Sequence, residues 1–364
     1  MKPSIRSLGI LAALGALALL LAEVALRVFW PEQFPDHIAG MYAPHPELGH
    51  VLVPNRKTSI TQPEYRVTVR TNSEGFRGEE LPPKNDTTLR IVCLGDWLTF
   101  GEGVENGQTY PALLEAALRR RHPERDIQVV NAGIPQYGSL DELAYFKSFA
   151  ARLEPDIVIV QFYAGDDFEQ ARVAARDRDE FHDDRLFQKA EFSASTGPRW
   201  QVVLDWLKHQ SHVVNWASER AGRIVMRANL LIKLEQASSS HFSDAEAQLV
   251  EAQLAQIQAL GATLGAHTLF LFAPERMQVM SREETPVRAA GVVMAVARKT
   301  GAGFLDLTPM LVEHADPASL YLAWIGTWRP ETYQLAAQLV AQKLAALAWV
   351  GEVPGREQPA GGAH

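Results

Sequence analysis

Four apolar runs constrain this chain more than any other feature. They are "LRIVCLG" (residues 89–95), "IQVVNAG" (127–133), "DIVIVQFY" (156–163) and "HTLFLFAP" (267–274). Strands that are apolar over most of their length, without strict alternation, are covered on both faces, as in a parallel sheet. A fifth candidate strand, "GFLDL", ends at residue 307. Helical patterns separate these runs. In "TYPALLEAALRRR" (109–121), Leu113, Leu114, Ala117 and Leu118 share a side, and three arginines close the C-terminal end, where cations are favoured. "SLDELAYFKSFA" opens with Ser139 and Glu142 at capping-box spacing. Ser243 caps a long helix, "VRAAGVVMAVARKT" reads as another, and Pro330 suits the first turn of the last. This alternation from 90 to 349 predicts a three-layer α/β/α domain with a parallel central sheet, because crossover helices cover both sheet faces. Ligands of such sheets bind beyond the carboxyl ends of the strands. "LGDW", "NAGIPQ" and "YAGDDF" all lie there, so three loops are expected to converge on one pocket.

The flanks carry different signals. "LGILAALGALALLLA" (8–22) has no charged side chain, and a helical reading continues to Trp30 before Pro31. Residues 8–30 are enough positions to span a bilayer core, and Lys2 and Arg6 favour a cytoplasmic N-terminus. The expectation is therefore an uncleaved transmembrane anchor over 1–30, with a cleaved signal peptide as its rival. It places the chain as a single-pass protein of a bacterial inner membrane, with the main domain periplasmic or extracellular. Residues 31–88 read as an extended leader packed on the main domain, with short β stretches in "HVLVPN" and "EYRVTVRTNSEGFRG". The main domain runs over 89–349 with a helical insertion at about 168–240, and residues 350–364 form a flexible tail. A formal charge of -8 argues against broad binding of nucleic acid. The single cysteine, Cys93, excludes an internal disulfide and a cysteine-rich metal site. No cofactor is implied.

With these blocks in view, the sequence resembles the SGNH hydrolases, or GDSL-type esterases, and within them a bacterial branch with an N-terminal membrane anchor and a leader carrying "N-S-x-G-F-R". "RIVCLGDWLTFGEGV" resembles the family's first block and "VVNAGIPQYGSLDELAYF" its second. "PDIVIVQFYAGDDF" resembles the third and "WIGTWRPETYQLAAQLV" the last. The resemblance implies a flavodoxin-like SGNH domain. It also implies five site positions, and each is altered here. Trp97 stands where the family carries its nucleophilic serine, and indole offers no attacking oxygen. Gln136 replaces the oxyanion-binding glycine, and Asp166 replaces an asparagine whose amide would donate to the oxyanion. Ile325 and Thr327 replace the orienting acid and the general-base histidine, and threonine cannot collect a proton as imidazole does. The nearest histidine to that block is His314.

These losses concern groups that depend on one another, so ordinary acyl hydrolysis is expected to be absent. The leading expectation is a catalytically inactive SGNH-like protein that binds an envelope glycan, a lipid or a protein partner, or serves a structural role. The alternative is an esterase or O-acetyl hydrolase with displaced chemistry. Asp96, Trp97, Gln136, Asp166, Asp167 and Trp328 are the candidate pocket residues, with Trp97 either a stacking surface or a plug. A metal held by Asp96, Asp166 and Asp167 is weighed and set aside, because Asp96 and Asp167 resemble framework residues. Thr99, Trp200, Trp206 and Trp324 are read as packing residues and Cys93 as a buried strand residue. The glycines of "GEGVENG" do not match a nucleotide-binding loop.

Overall fold

The computed structural model describes residues 14, 15, 17–25, 41–62, 64–164, 167–168, 211, 213–214, 242–281, 286–322 and 326–351. Four short strands come first: β1 (Tyr42–His45), β2 (Gly49–Leu52), β3 (Lys57–Gln62) and β4 (Tyr65–Arg70). They form two-stranded sheets, β1 with β2 and β3 with β4. Next come β5 (Thr88–Gly95), α1 (Trp97–Phe100), α2 (Tyr110–Arg121), β6 (Asp126–Gly133), α3 (Ser139–Leu153) and β7 (Ile157–Tyr163). The remainder is α4 (Asp244–Thr263), β8 (His267–Ala273), α5 (Arg276–Ser281), α6 (Pro286–Thr300), β9 (Gly303–Asp306), α7 (Thr308–Val312) and α8 (Pro330–Ala346).

The main sheet has the order β6-β5-β7-β8-β9, and every neighbouring pair is parallel. Numbered from its own first strand this is 2-1-3-4-5, the flavodoxin-like order, with its switch point at the first and third strands. All eight residues of β5 are buried, as its continuous apolar run requires. On one face Leu89, Ile91, Cys93, Ile157, Ile159, Leu269 and Leu271 pack with Leu114 and Leu118 of α2 and Tyr333 and Val340 of α8. Helices α3, α4 and α6 pack together as the other layer. The expected three-layer α/β/α architecture is thus present.

Helix ends follow local chemistry. Ser243 Oγ accepts from Glu246 N at 3.2 Å while Glu246 Oε2 accepts from Ser243 N at 2.7 Å, a reciprocal capping box. Pro330 begins α8. Helix α3 differs from its sequence reading. Its cap is Gly138, whose N–H donates to Asp141. The Ser139 hydroxyl is drawn instead to Gln253 Oε1 on α4, at 2.6 Å.

The N-terminal anchor is overturned. No helix among the described residues is long and apolar enough to cross a membrane. Helix is described at residues 14, 15 and 17–25. The membrane as a partner through residues 8–30, the single-pass inner-membrane location and the membrane-anchored branch fall with it. The remaining positions of that segment lie outside the described residues.

The chain divides into two compact units. The smaller comprises residues 1–39, 60–62 and 184–238, and in it Glu23 Oε2 accepts from Ser211 Oγ at 2.7 Å and Val213 N at 3.0 Å. The insertion patterns "WQVVLDWLKHQ" and "VMRANLLIKLEQ", with Trp200 and Trp206, lie outside the described residues, as do positions 352–364. The larger unit holds the main sheet and most of the leader. The "NSEGFR" segment is a closed turn there. Asn72 Oδ1 accepts from Glu74 N and Phe76 N, and Gly75 sits at φ +83° with the Leu52 carbonyl oxygen 3.0 Å from where a Cβ would be. Phe76 is buried edge-on against Phe149 of α3.

Candidate functional site

The candidate site begins where β5 ends. Gly95 lies at φ +152°, and a Cβ there would stand 2.1 Å from Thr99 Oγ1. No other residue fits that bend without displacing the helix behind it. Asp96 is 1 % exposed and caps α1, its Oδ1 accepting from Leu98 N at 3.0 Å. Gln161 of β7 completes the underside. With its amide nitrogen facing β5, it donates to Asp96 Oδ1 at 2.8 Å and Thr99 Oγ1 at 3.1 Å, and its oxygen accepts from Tyr163 N. Thr99 in turn donates to Leu94 O at 3.2 Å. Cys93 is fully buried beneath, its thiol pushed up to about 12 by burial, which leaves it unreactive.

The second loop is held tightly to the first. Ile134 N donates to Gly95 O at 2.9 Å, and a Cβ on Gly133 would stand 2.3 Å from Phe100 N. Gln136 follows, exposed, at φ +69°. Glycine is unstrained in that region and glutamine is not, so the backbone there has a conformation that favours glycine. The third loop is closed by Asp167, which is 2 % exposed and accepts from Tyr163 N at 2.6 Å. Asp166 and Ile325 lie outside the described residues, as does Trp324. In the last block, Thr327 is 8 % exposed and its Oγ1 has no hydrogen-bond partner among the described residues. Trp328 faces the core, fully buried and edge-on to Tyr333 at 5.5 Å. His314 is engaged with its own loop, its Nδ1 2.9 Å from Asp316 O.

The structure therefore brings Asp96, Trp97, Gln136 and Asp167 to the carboxyl ends of β5, β6 and β7, which include the switch-point pair β5 and β7. Trp97 is half-exposed at the first position of α1. Its backbone N–H and that of Gln136 donate to no group among the described residues. Among the described residues no group of three His, Cys, Asp or Glu side chains could hold a metal ion.

The sequence reading missed what the leader contributes. Arg77 is 3 % exposed, and its guanidinium donates to Phe100 O (2.8 Å), Gly101 O (2.7 Å), Val104 O (2.5 Å) and Asn106 Oδ1 (3.1 Å). It also lies over the Phe100 ring at 4.6 Å. Burial lowers it to about 10, so it stays charged at neutral pH. Tyr65 donates to Glu102 Oε1 at 3.2 Å, and Tyr333 donates to the Glu102 carbonyl at 3.1 Å. Burial pushes the Glu102 carboxyl up to about 7, opposed by the Tyr65 hydrogen bond and reinforced by Asp96. His50, kept below its ordinary value by burial, donates from Nε2 to Pro135 O at 3.0 Å, and Tyr137 donates back to His50 O. The signals that could have pointed here were "FRG" and "GEG", polar residues fixed between glycines and an aromatic.

The family model of the GDSL-like Lipase/Acylhydrolase family matches residues 93–325. No curated protein matches the chain. Among solved structures, the chain is similar to a lipase/acylhydrolase from Enterococcus faecalis, at 14 % identity and TM-score 0.40, covering 71 % of this chain and 96 % of that one. It is similar to a catalytic mutant of Axe2, an acetylxylan esterase from Geobacillus stearothermophilus, at 16 % identity and TM-score 0.41, covering 74 % and 97 %. It is also similar to LAE5, an alpha/beta hydrolase enzyme from the metagenome of Lake Arreo, Spain, at 19 % identity and TM-score 0.41, covering 72 % and 95 %.

Proposed function

The chain belongs to the GDSL-like lipase/acylhydrolase family, and from that premise we propose that it binds the carbonyl of an acyl group without forming an acyl-enzyme. One observation carries this reading: the N–H groups of Trp97 and Gln136, at the ends of neighbouring strands, have no acceptor among the described residues. Backbone donors survive any side-chain replacement, and they are what a carbonyl or carboxylate oxygen requires. The covalent step has no support. Trp97 supplies no nucleophile, Thr327 no base, and His314 is bonded into its own loop.

Two measurements test the reading. A short-chain amide such as hexanamide should shift the amide resonances of Trp97 and Gln136 in an NMR titration. A fluorophosphonate probe should leave the folded protein unlabelled. Stoichiometric labelling, or resonances unmoved at millimolar amide, would reject it.

A second reading is an ester or O-acetyl hydrolase with displaced residues. Family membership favours it, and Glu102 is a titratable group beside the first loop. Turnover of a panel of acetyl and hexanoyl esters, sensitive to Glu102→Gln, is its signature. The absence of turnover by protein that binds hexanamide would dismiss it.

A further inference from the structure

The leader's first hairpin, β1 and β2, meets the second site loop through one side chain. His50 of β2 is 5 % exposed, and its Nε2 donates to Pro135 O at 3.0 Å. Tyr137, two residues on, donates its hydroxyl back to His50 O. This reciprocal pair of bonds brackets Gln136, the residue held at φ +69°. Aromatic rings close the contact. Tyr42 of β1 stands edge-on to the imidazole at 5.3 Å, and Tyr137 at 5.2 Å. Tyr137 in turn packs edge-on against Tyr145 of α3 at 5.7 Å.

The other ring nitrogen has no use in this arrangement. His50 Nδ1 is buried and has no hydrogen-bond partner among the described residues. A carbonyl at Nε2 fixes the neutral tautomer with its proton there, so Nδ1 is the only place for a second proton. An imidazolium here would hold a buried N–H with no acceptor and a charge with no carboxylate bonded to it. The groups that face the ring are Tyr42 from β1 and Tyr137 from the second loop, both pushed up by burial. In its own hairpin, His45 Nδ1 accepts from Glu47 N and Leu48 N, and Glu47 is exposed. The charged groups that act on the two tyrosines are Glu102 and Arg77 at Tyr42, and Asp141 at Tyr137. Burial accordingly keeps the His50 ring below its ordinary value, opposed by the bond to Pro135.

We propose that His50 is a pH-sensitive clasp, a positioning residue that fixes the second loop while its ring is neutral and lets loop and hairpin part when the ring is protonated. The proposal goes beyond the carbonyl-binding reading and does not depend on it, since it concerns the shape of the loop and not its occupant. Once parted, the ring has the ordinary value of about 6.5, and docked it has a lower one. The docked state is therefore fully stable above that ordinary value. It loses stability as pH falls below it, until the docked ring itself titrates. Each opening takes up one proton, so the equilibrium constant for opening should rise up to about tenfold per pH unit across that window.

The experiment is amide hydrogen exchange of the full chain from about pH 4.5 to 7.5, read by NMR and expressed as protection relative to an unstructured chain at the same pH. The Tyr137 N–H, bonded to Ile134 O, reports the loop, and the Val53 N–H, bonded to Met41 O, reports the hairpin. Both should lose protection up to about tenfold per pH unit below about 6.5, while amides of β5 and β7 keep theirs. His50→Gln retains a donor for Pro135 O and does not titrate, so its profile should be flat. The ring gives a second readout that needs no variant. Its nitrogen resonances should show the Nε2–H tautomer at neutral pH and a titration midpoint below about 6.5. Protection at Tyr137 and Val53 that is flat with pH in the unmutated protein overturns the proposal, as does a ring midpoint at or above that value. A fall that persists in His50→Gln assigns the titration to another group and also overturns it. Should His50→Gln not fold, the unmutated profile and the ring midpoint decide together.

Discussion

Replacing Arg77 with methionine should destabilise the protein more than any other single change in the leader. The side chain is 3 % exposed and satisfies three carbonyls of the loop that follows α1, at 2.5–2.8 Å. Methionine fills a similar volume, so little cavity forms. The cost comes from the carbonyls. A buried group left without its partner loses about 1–3 kcal/mol, and three of them set a gross loss of roughly 3–9 kcal/mol. Relief of the buried charge offsets part of this, since desolvation already lowers Arg77 to about 10. The expected net is therefore in the lower half of that range, about 3–5 kcal/mol. A protein with stability in the usual range of about 5–15 kcal/mol would remain folded but weakened. For a domain this large the melting temperature should drop by roughly 10 °C. Arg77→Lys keeps the charge but cannot reach three carbonyls at once, so it should lose about half as much. Arg70→Met is the control, because Arg70 is exposed and should change by less than about 0.5 kcal/mol. Urea unfolding followed by circular dichroism, with scanning calorimetry, measures all three. Equal midpoints for Arg77→Met and Arg70→Met would refute the reasoning.

Three further outcomes are expected. Gly95→Ala places a methyl 2.1 Å from Thr99 Oγ1 and should cost about 3 kcal/mol or more, read by the same unfolding curves; a shift below 1 kcal/mol would mean that the loop gives way freely. Glu102 goes from 4.5 unfolded to about 7 folded, so the unfolded chain releases its proton first and stability falls as pH rises through that window. After screening at a half-exposed position the fall should be about 1–3 kcal/mol, and Glu102→Gln should flatten that part of the profile; an unchanged slope would contradict the assignment. Trp97→Ser should not create an esterase, because Thr327 cannot serve as base and the His50 ring is committed to Pro135 O. Fluorophosphonate labelling of Trp97→Ser above the unmutated level would show that a base is present after all.

The sheet was legible because β5, β7 and β8 are buried along nearly their whole length, and continuous apolar runs say so directly. The Ser243 cap was legible because both partners are three residues apart. At α3 the same rule missed by one position, since the Ser139 hydroxyl bonds Gln253 on another helix. A local pattern cannot report a partner 114 residues away. The anchor reading failed for a related reason. An apolar run reports hydrophobicity alone, and among the described residues no helix is long and apolar enough to cross a membrane. Trp328 was placed among pocket residues by its neighbours in sequence, but its ring packs inward on Tyr333. Arg77, Glu102 and Tyr65 escaped notice because their roles exist only in the contacts between leader and first loop.

The residues of the candidate site divide along one physical line. Asp96 and Asp167 accept from backbone N–H groups, and Gly95 and Gly133 let backbone and side chains approach closely. Changing any of them breaks the fold's own accounting of buried polar groups or space. Trp97 sits half-exposed at the first turn of α1, Gln136 is exposed, and the Thr327 hydroxyl bonds to nothing described. At these positions a side chain can change with little cost to the scaffold, because no backbone group depends on it. On the proposed reading, a site of this construction can do without a nucleophile and a base and still keep its shape. What it keeps is the part made of main chain: two N–H groups at the ends of β5 and β6 that donate to nothing among the described residues. Main-chain donors of this kind are what the proposed carbonyl binding requires.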